Sequence, residues 1–426
     1  MGGNAQENFH FDSSKRKVKL SFKLINNLIV MPIKVNGVLL HFLLDTGVKE
    51  TVLFSLDENK EIPLFDVEKI NLKGLGAQES IEGLKAFNNV FAIDGVHFDN
   101  QEIIVVLDQN FNFSSTLGIE VNGIIGHHFF SHAVVEIDYV KKKVIIYNPE
   151  KYNETKTLRK FESFDFQLEN ARPYIDMQVT LGDNTFDAKC LIDSGNSDGL
   201  WLFQNKGEHI AVPLRNYEDY LGRGFSGDIY GKKARVPQLS LNEYVFTDVV
   251  AAFPDEDSFM NLNMAQNRLG SIGGEFLRRF DVIFDYANQK MHLKKNRNYN
   301  DKFRYNTTGI TIHHAGLLWY KEEIPLNSFS VSQDNHYNNV GKTDLKYNFK
   351  LLPSYEILNI RKGSPAEMAG LKKGDVIIYI NKKRVYRLSL EEINQLLKAD
   401  DQDVLTLIVE RDGTEMTFRF QTVDLL

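Results

Sequence analysis

The chain repeats itself. Val30 to Asp138 and Ile175 to Asp285 pass through the same landmarks in the same order. Each copy opens on alternating apolar residues around a turn glycine, "MPIKVNGVLLHFLLDTG" and "YIDMQVTLGDNTFDAKCLIDSG". A glycine-rich turn follows, "KGLGAQES" at 73–80 and "GRGFSGDIYG" at 222–231. Then come "NGIIGHHFF" and "LGSIGGEFL", and finally "VVEIDYVKKKVIIY" and "DVIFDYANQKMHLK". The registers agree: Asp45 to Gly126 spans 81 residues and Asp193 to Gly273 spans 80, while Asp45 to Asp138 spans 93 and Asp193 to Asp285 spans 92. The first hairpin is the shorter, with 8 residues from Gly37 to Asp45 against 11 from Gly182 to Asp193. A repeat of this kind requires both copies to build the same unit.

The unit is β. Val, Ile, Phe and Tyr alternate with polar residues between Gly, Asn and Asp turns, the pattern of half-buried strands. The expected fold is mainly β: an N-terminal extension over 1–19, one lobe over 20–149 and a homologous lobe over 150–296. Residues 297–345 are rich in Asn and Tyr without a clear period, apart from a strand pattern at "GITIHHAGLLWYKEEI", and read as a connector or edge decoration. From Lys346 the pattern becomes strand, strand, short helix, strand, helix, strand, hairpin, which predicts a small α+β domain over 346–426. In it Ser389 and Glu392 form a capping box for "LEEINQLLKA".

In each repeat a carboxylate ends an apolar run: Asp45 in "LLDTG" and Asp193 in "LIDSG". Burying an unpaired carboxylate is costly. A pair of structural turn residues is the plain alternative, and the close register of the two copies argues for a paired role. Two carboxylates about 3 Å apart cannot both ionise, so they share a proton and supply an acid and a base together.

These motifs resemble the aspartic proteases over residues 20 to 295. The likeness lies between the pepsins, with two lobes in one chain, and the retroviral proteases, with compact subunits. "GSPAEMAGLKKGDVIIYINKKRV" in the C-terminal segment is similar to a bacterial-type PDZ domain. The combination resembles a group of bacterial aspartyl proteases. The fold it implies is two acid-protease-type β-barrel lobes followed by a PDZ-like domain. The function it implies is an aspartic-type endopeptidase with Asp45 and Asp193 as catalytic dyad, an activated water, and no metal or cofactor. The alternative is a catalytically inactive protease-fold adaptor that binds peptides.

The resemblance also assigns supporting roles. Thr46 and Ser194 would bond across the lobe interface. Gly47 and Gly195 would let backbone amides approach the carboxylates. Gly126 and Gly273 would belong to the ψ-loops beside them. Gly74, Leu75, Gly76 and Ala77, and Gly224, Phe225 and Ser226, would form two flaps, as in the retroviral layout. Where those families carry serine or alanine after the glycine, this chain has Val48 and Asn196. The Asn196 amide is expected to donate to Asp193, which makes Asp193 the preferred anion and Asp45 the proton holder. Lys49 is expected in solvent. The PDZ-like domain is expected to bind polypeptide by β-augmentation, with its edge strand near 346–352 opposite the helix at 390–398. It lacks a GLGF-type carboxylate loop, so internal segments or its own lobes are alternative ligands.

Other signals are weaker. The net charge is −7, which gives no basic footprint for nucleic acid. Cys190 is the sole cysteine, so no intrachain disulfide forms, and it reads as core. No apolar run reaches the ~18 residues of a membrane span. "HHFFSH" places His128 and His132 four apart but lacks the glutamate of a zinc helix, so it reads as a helix surface. "MGGNAQENFHF" has no signal-peptide core, although Gly3-Asn4-Ala5 has the form of a trimmed cleavage site. An exported, periplasmic location is expected on that ground, with the cytoplasm left open.

Overall fold

The structure is a computed structural model that describes residues 9–12, 14–56, 60–73, 80–107, 113–204, 206, 210–224, 227–259, 264–325 and 345–426. It is mainly β. In the first lobe the strands pair in a closed cycle: Val96–Val106, Val52–Leu53, Gly123–Ile125, Val38–Leu44, Leu28–Val35, Ser80–Ile93, and back to Val96–Val106. The second lobe runs through the corresponding strands in the same order: Tyr244–Pro254, Leu200–Leu202, Gly270–Ile272, Asn184–Ile192, Arg172–Leu181 and Gly227–Leu241. Each lobe is therefore a six-stranded barrel, and closure leaves no free edge in that ring. A further strand extends each barrel into a long hairpin, Val67–Lys73 on the first lobe and Asn216–Gly224 on the second.

The last pair of strands in each repeat leaves its barrel and joins the lobes. Val135–Asp138 pairs antiparallel with Phe280–Asp285, with Ile137 opposite Val282. They form the centre of a six-stranded sheet that takes three strands from each lobe, including Lys17–Ser21 from the expected N-terminal extension. Alternation places Val135, Ile137, Val282 and Phe284 in one continuous core shared by both lobes.

Residues 297–345 are more than a connector. Phe303 and Tyr305 pack into the core of the lobes. The buried Arg279 guanidinium lies 3.7 Å from the Phe303 ring and donates to the carbonyls of Tyr299 and Asp301. Ile310–Pro325 is a strand that pairs along the whole of Leu345–Ile360. It is the edge of the C-terminal sheet, so residues 346–352 lie inside the pairing and the expected edge assignment is corrected. The strand read at "GITIHHAGLLWYKEEI" is thus present and decorates an edge, with its alternation broken at a bulge between His314 and Leu317. The C-terminal domain has its own core around Ile312, Ile357, Ile377, Ile393 and Leu407. Its second helix, Leu390–Leu397, begins at the expected capping box of Ser389 and Glu392. Among the described residues no helix is long and apolar enough to cross a membrane.

Candidate active site

Two loops meet where the barrels touch. Asp45 follows the strand Val38–Leu44, and its N–H donates to the Ile125 carbonyl at 2.9 Å. Asp193 follows Asn184–Ile192 and donates to Ile272 at the same distance. Gly123–Ile125 and Gly270–Ile272 run parallel to those strands, so each threads beside an aspartate. Gly126 and Gly273 end these threads against the opposite arm of the loop. A Cβ at either position would collide with a backbone carbonyl, of Val48 or of Asp198 and Asn196. Glycine is required there by close approach, since both backbones are at negative φ.

Thr46 and Ser194 lock the loops together. The Thr46 N–H donates to Ser194 Oγ at 3.0 Å and the Ser194 N–H donates to Thr46 Oγ1 at 3.0 Å. Each hydroxyl then donates across to the other lobe, Thr46 to the Ile192 carbonyl at 2.7 Å and Ser194 to the Leu44 carbonyl at 2.8 Å. All four bonds are buried and satisfied, so this lattice fixes one loop against the other.

The lattice brings the Asp45 and Asp193 carboxyls into hydrogen-bonding contact. The Gly47 N–H donates to Asp45 Oδ1 at 2.7 Å and the Gly195 N–H to Asp193 Oδ1 at 3.1 Å. Asp45 is buried and Asp193 is half-buried. Burial and the charge of Asp193 push Asp45 well above the usual carboxylate range, and the Gly47 amide offsets them only in part. Burial also raises Asp193, but the Arg268 guanidinium, the hydrogen bond from Asp45 and the amides of Gly195 and Asn196 oppose it. Both carboxyls are therefore raised, and more groups favour a charge on Asp193 than on Asp45.

The groups around Asp193 are not the ones expected. The Asn196 side chain does not donate to Asp193. Its Oδ1 accepts from the Asp198 N–H at 3.0 Å, and its Nδ2 is buried with no partner among the described residues. The backbone N–H of Asn196 acts on Asp193 instead. A short amide in a tight turn is captured by the backbone two residues on, an Asx-type bond that precludes a longer reach. Val48 brings no donor, and Lys49 is exposed, 3.9 Å from Glu50.

Sequence reasoning missed two arginines. Arg172 Nε donates to the Gly47 carbonyl at 2.7 Å, so a residue of the second lobe holds the Asp45 loop. Arg268 donates to the Gly270 carbonyl at 3.1 Å, and its positive charge acts on Asp193. Neither belongs to a motif; only the fold carries them to the dyad. A third group links the long hairpin of the second lobe to the Asp193 loop. Lys233 lies 3.4 Å from Asp198 and 3.6 Å from Asp219 on the hairpin strand Asn216–Gly224. Burial lowers its pKa, but the two carboxylates more than offset this and hold it protonated. Trp201 Nε1 donates to Asp198 at 2.8 Å from the other side.

Gly224 ends that hairpin strand and pairs with Gly227. Phe225 and Ser226, and all of Gly74, Leu75, Gly76 and Ala77, lie outside the described residues. The histidines do not converge. His132 Nδ1 bonds the His128 carbonyl at 2.6 Å, burial holds His127 down to about 4, and among the described residues no group of three or more His, Cys, Asp or Glu is arranged around a metal-sized site. Cys190 is buried, which pushes its thiol up to about 12, so it is inert core.

Residues 356–411 match the PDZ domain. The match covers the strand end, the short helix Pro365–Met368, the strand Val376–Ile380 and the helix Leu390–Leu397. No curated protein matches the chain in sequence. Among solved structures, the aspartic proteinase from Irpex lacteus superposes with a TM-score of 0.42 and 10% identity, over 67% of this chain and 99% of that one.

Proposed function

We propose that the chain is an aspartic endopeptidase that cleaves extended polypeptides with Asp45, Asp193 and one water. The observation that carries this reading is the contact of two raised carboxyls, with more groups favouring a charge on Asp193 than on Asp45. Asp193 takes a proton from the water as its oxygen attacks the scissile carbonyl carbon. Asp45 gives its proton to the carbonyl oxygen, which yields a neutral diol. Collapse of the diol breaks the C–N bond: Asp193 gives its proton to the departing nitrogen, and a diol hydroxyl gives its proton to Asp45, which restores the starting state of the dyad. The two extended hairpins support a two-flap, retropepsin-like layout, with the substrate lying between them. The PDZ domain recruits or positions polypeptide, and strand addition along Ile310–Pro325 is the mode its edge supports.

The test is cleavage of a random peptide library between pH 3 and 8 by the wild type, Asp45→Asn and Asp193→Asn. Cleavage by the wild type and loss in both variants is expected, because neither half of the dyad is spare. A variant that keeps a tenth of the wild-type kcat would overturn the assignment.

A further inference from the structure

The strands Lys23–Ile25 and Leu28–Val35 are joined by two residues, Asn26 at φ 48° and Asn27 at φ 64°. This is the tight hairpin turn that needs left-handed backbone at both positions, which asparagine tolerates well. Its two side chains serve different neighbours. On one side Asn26 faces the PDZ helix Leu390–Leu397. The Asn26 N–H donates to Glu391 Oε2 at 2.6 Å, and Asn394 Nδ2 donates to Asn26 Oδ1 at 2.9 Å. On the other side Asn27 faces the second lobe. Asn27 Nδ2 donates to the Ser197 carbonyl at 3.0 Å and to Glu275 Oε2 at 2.9 Å.

Ser197 is four residues from Asp193, in the loop whose amides hold that carboxylate. Glu275 stands on the short helix that follows the ψ-thread, where Arg278 and Arg279 fix it at 2.7 and 2.8 Å. A Cβ on Gly274 would strike the Asn27 carbonyl, so the turn is seated against this helix without slack. Gly118, from the first lobe, touches Leu390 at the start of the same PDZ helix: a Cβ there would lie 2.9 Å from the Leu390 Cβ. The helix is thus pinned to the first lobe at two points and, through one two-residue turn, to the catalytic loop of the second.

We propose that Asn27 is a positioning residue for the Asp193 loop and that the PDZ helix acts on the loop through it. The domain is then part of the apparatus that holds the dyad, in addition to any role in recruiting polypeptide. The same helix and the first-lobe helix Phe113–Leu117 both contact the edge strand Ile310–Pro325. A polypeptide added in a groove along that strand would bear on the PDZ helix and alter its grip on Asn26, which links its binding to the set of the Asp193 loop through a contiguous, hydrogen-bonded path.

The test uses the full chain with Asn27→Gly, Glu391→Ala and the double variant. Glycine keeps the left-handed turn and removes only the amide, which separates positioning from folding. Two readouts are taken: amide hydrogen exchange over 194–199, and kcat and KM on a short peptide that does not engage the groove. Exchange over 194–199 should rise in both single variants, with thermal midpoints within a few degrees of wild type. The kinetic arm rests on the proposed endopeptidase activity: kcat should fall about tenfold in Asn27→Gly and less in Glu391→Ala, with KM little changed. In the double variant kcat should fall no further than in Asn27→Gly, because the second change acts through the residue already removed. Additive losses, or unchanged exchange over 194–199 in Glu391→Ala, would overturn the proposal. A wild type that cleaves nothing would count against the endopeptidase reading alone, and the exchange arm would still decide the positioning role.

Discussion

Gly195→Ala and Gly47→Ala look equivalent in sequence, each in an Asp-Ser/Thr-Gly triplet, yet the structure predicts unequal losses. A Cβ at 47 would lie 2.9 Å from Asp193 Oδ1 and 3.1 Å from Asp45 Oδ1. Such a contact needs the neighbours to move by a few tenths of an ångström. A Cβ at 195 would lie 2.7 Å from Asp45 Oδ1 and closer still to Asp45 Oδ2 and Cγ. Asp45 has nowhere to retreat, because the Gly47 amide holds it at 2.7 Å and its loop is fixed by the Thr46–Ser194 lattice. The carboxyl must shift by about 1 Å, and a misplacement of that size costs roughly a hundredfold in rate. The expected kcat loss is therefore about a hundredfold or more for Gly195→Ala, and about tenfold or less for Gly47→Ala, in line with its smaller displacement. Both are measured on one fluorogenic peptide at acidic pH, with thermal unfolding as a control for the fold. A Gly195→Ala enzyme within threefold of wild type, or a Gly47→Ala enzyme that is the worse of the two, would refute the packing argument.

Three further outcomes follow from the same geometry. Asn196→Ala should leave the acidic limb of kcat/KM in place, because its side chain bonds Asp198 and the donor to Asp193 is backbone; an upward shift of that limb would restore the side chain as the donor. Asp45→Asn should raise the thermal midpoint near pH 7 and have little effect near pH 3: the folded pKa of Asp45 is raised, so the stability it contributes is full below the unfolded value and is lost as pH rises through the folded one, and asparagine escapes that loss. An equal midpoint difference at both pH values would contradict the direction of the shift. Truncation after Asn296 should give unfolded or insoluble protein, since it removes Phe303 and Tyr305 from the core and the carbonyls that satisfy Arg279; Phe303→Ala alone should cost about 3–5 kcal/mol in denaturant unfolding. A soluble, cooperatively folding fragment of residues 1–296 would show that the lobes close without that segment.

The sequence by itself determined the repeat, and with it two like β lobes and the equivalence of Asp45 and Asp193, while the barrels and the threads at Gly126 and Gly273 were what the resemblance to the aspartic proteases implied. These were legible because strand period, turn glycines and spacing are local or nearly local properties, and the register was stated twice. The PDZ segment was legible for the same reason, since its helix cap and its glycine turns are read within a few residues. What the tertiary structure decided lies between elements. Arg172 and Arg268 are remote from the motifs, and only barrel closure brings their charges to the dyad. Asn196 was placed correctly beside Asp193, but the choice between its amide and its backbone N–H as donor is a matter of a few ångströms that spacing cannot fix. The strand at Ile310–Pro325 shows in the sequence, but its pairing with Leu345–Ile360, which makes it the edge of the C-terminal sheet, is long-range and does not. The Asn26–Asn27 turn reads in sequence as an ordinary hairpin; its two side chains acquire their partners only when three separate parts of the chain are packed together. Periodicity records which face of a strand is buried, whereas the partner across an interface is set by the assembled fold.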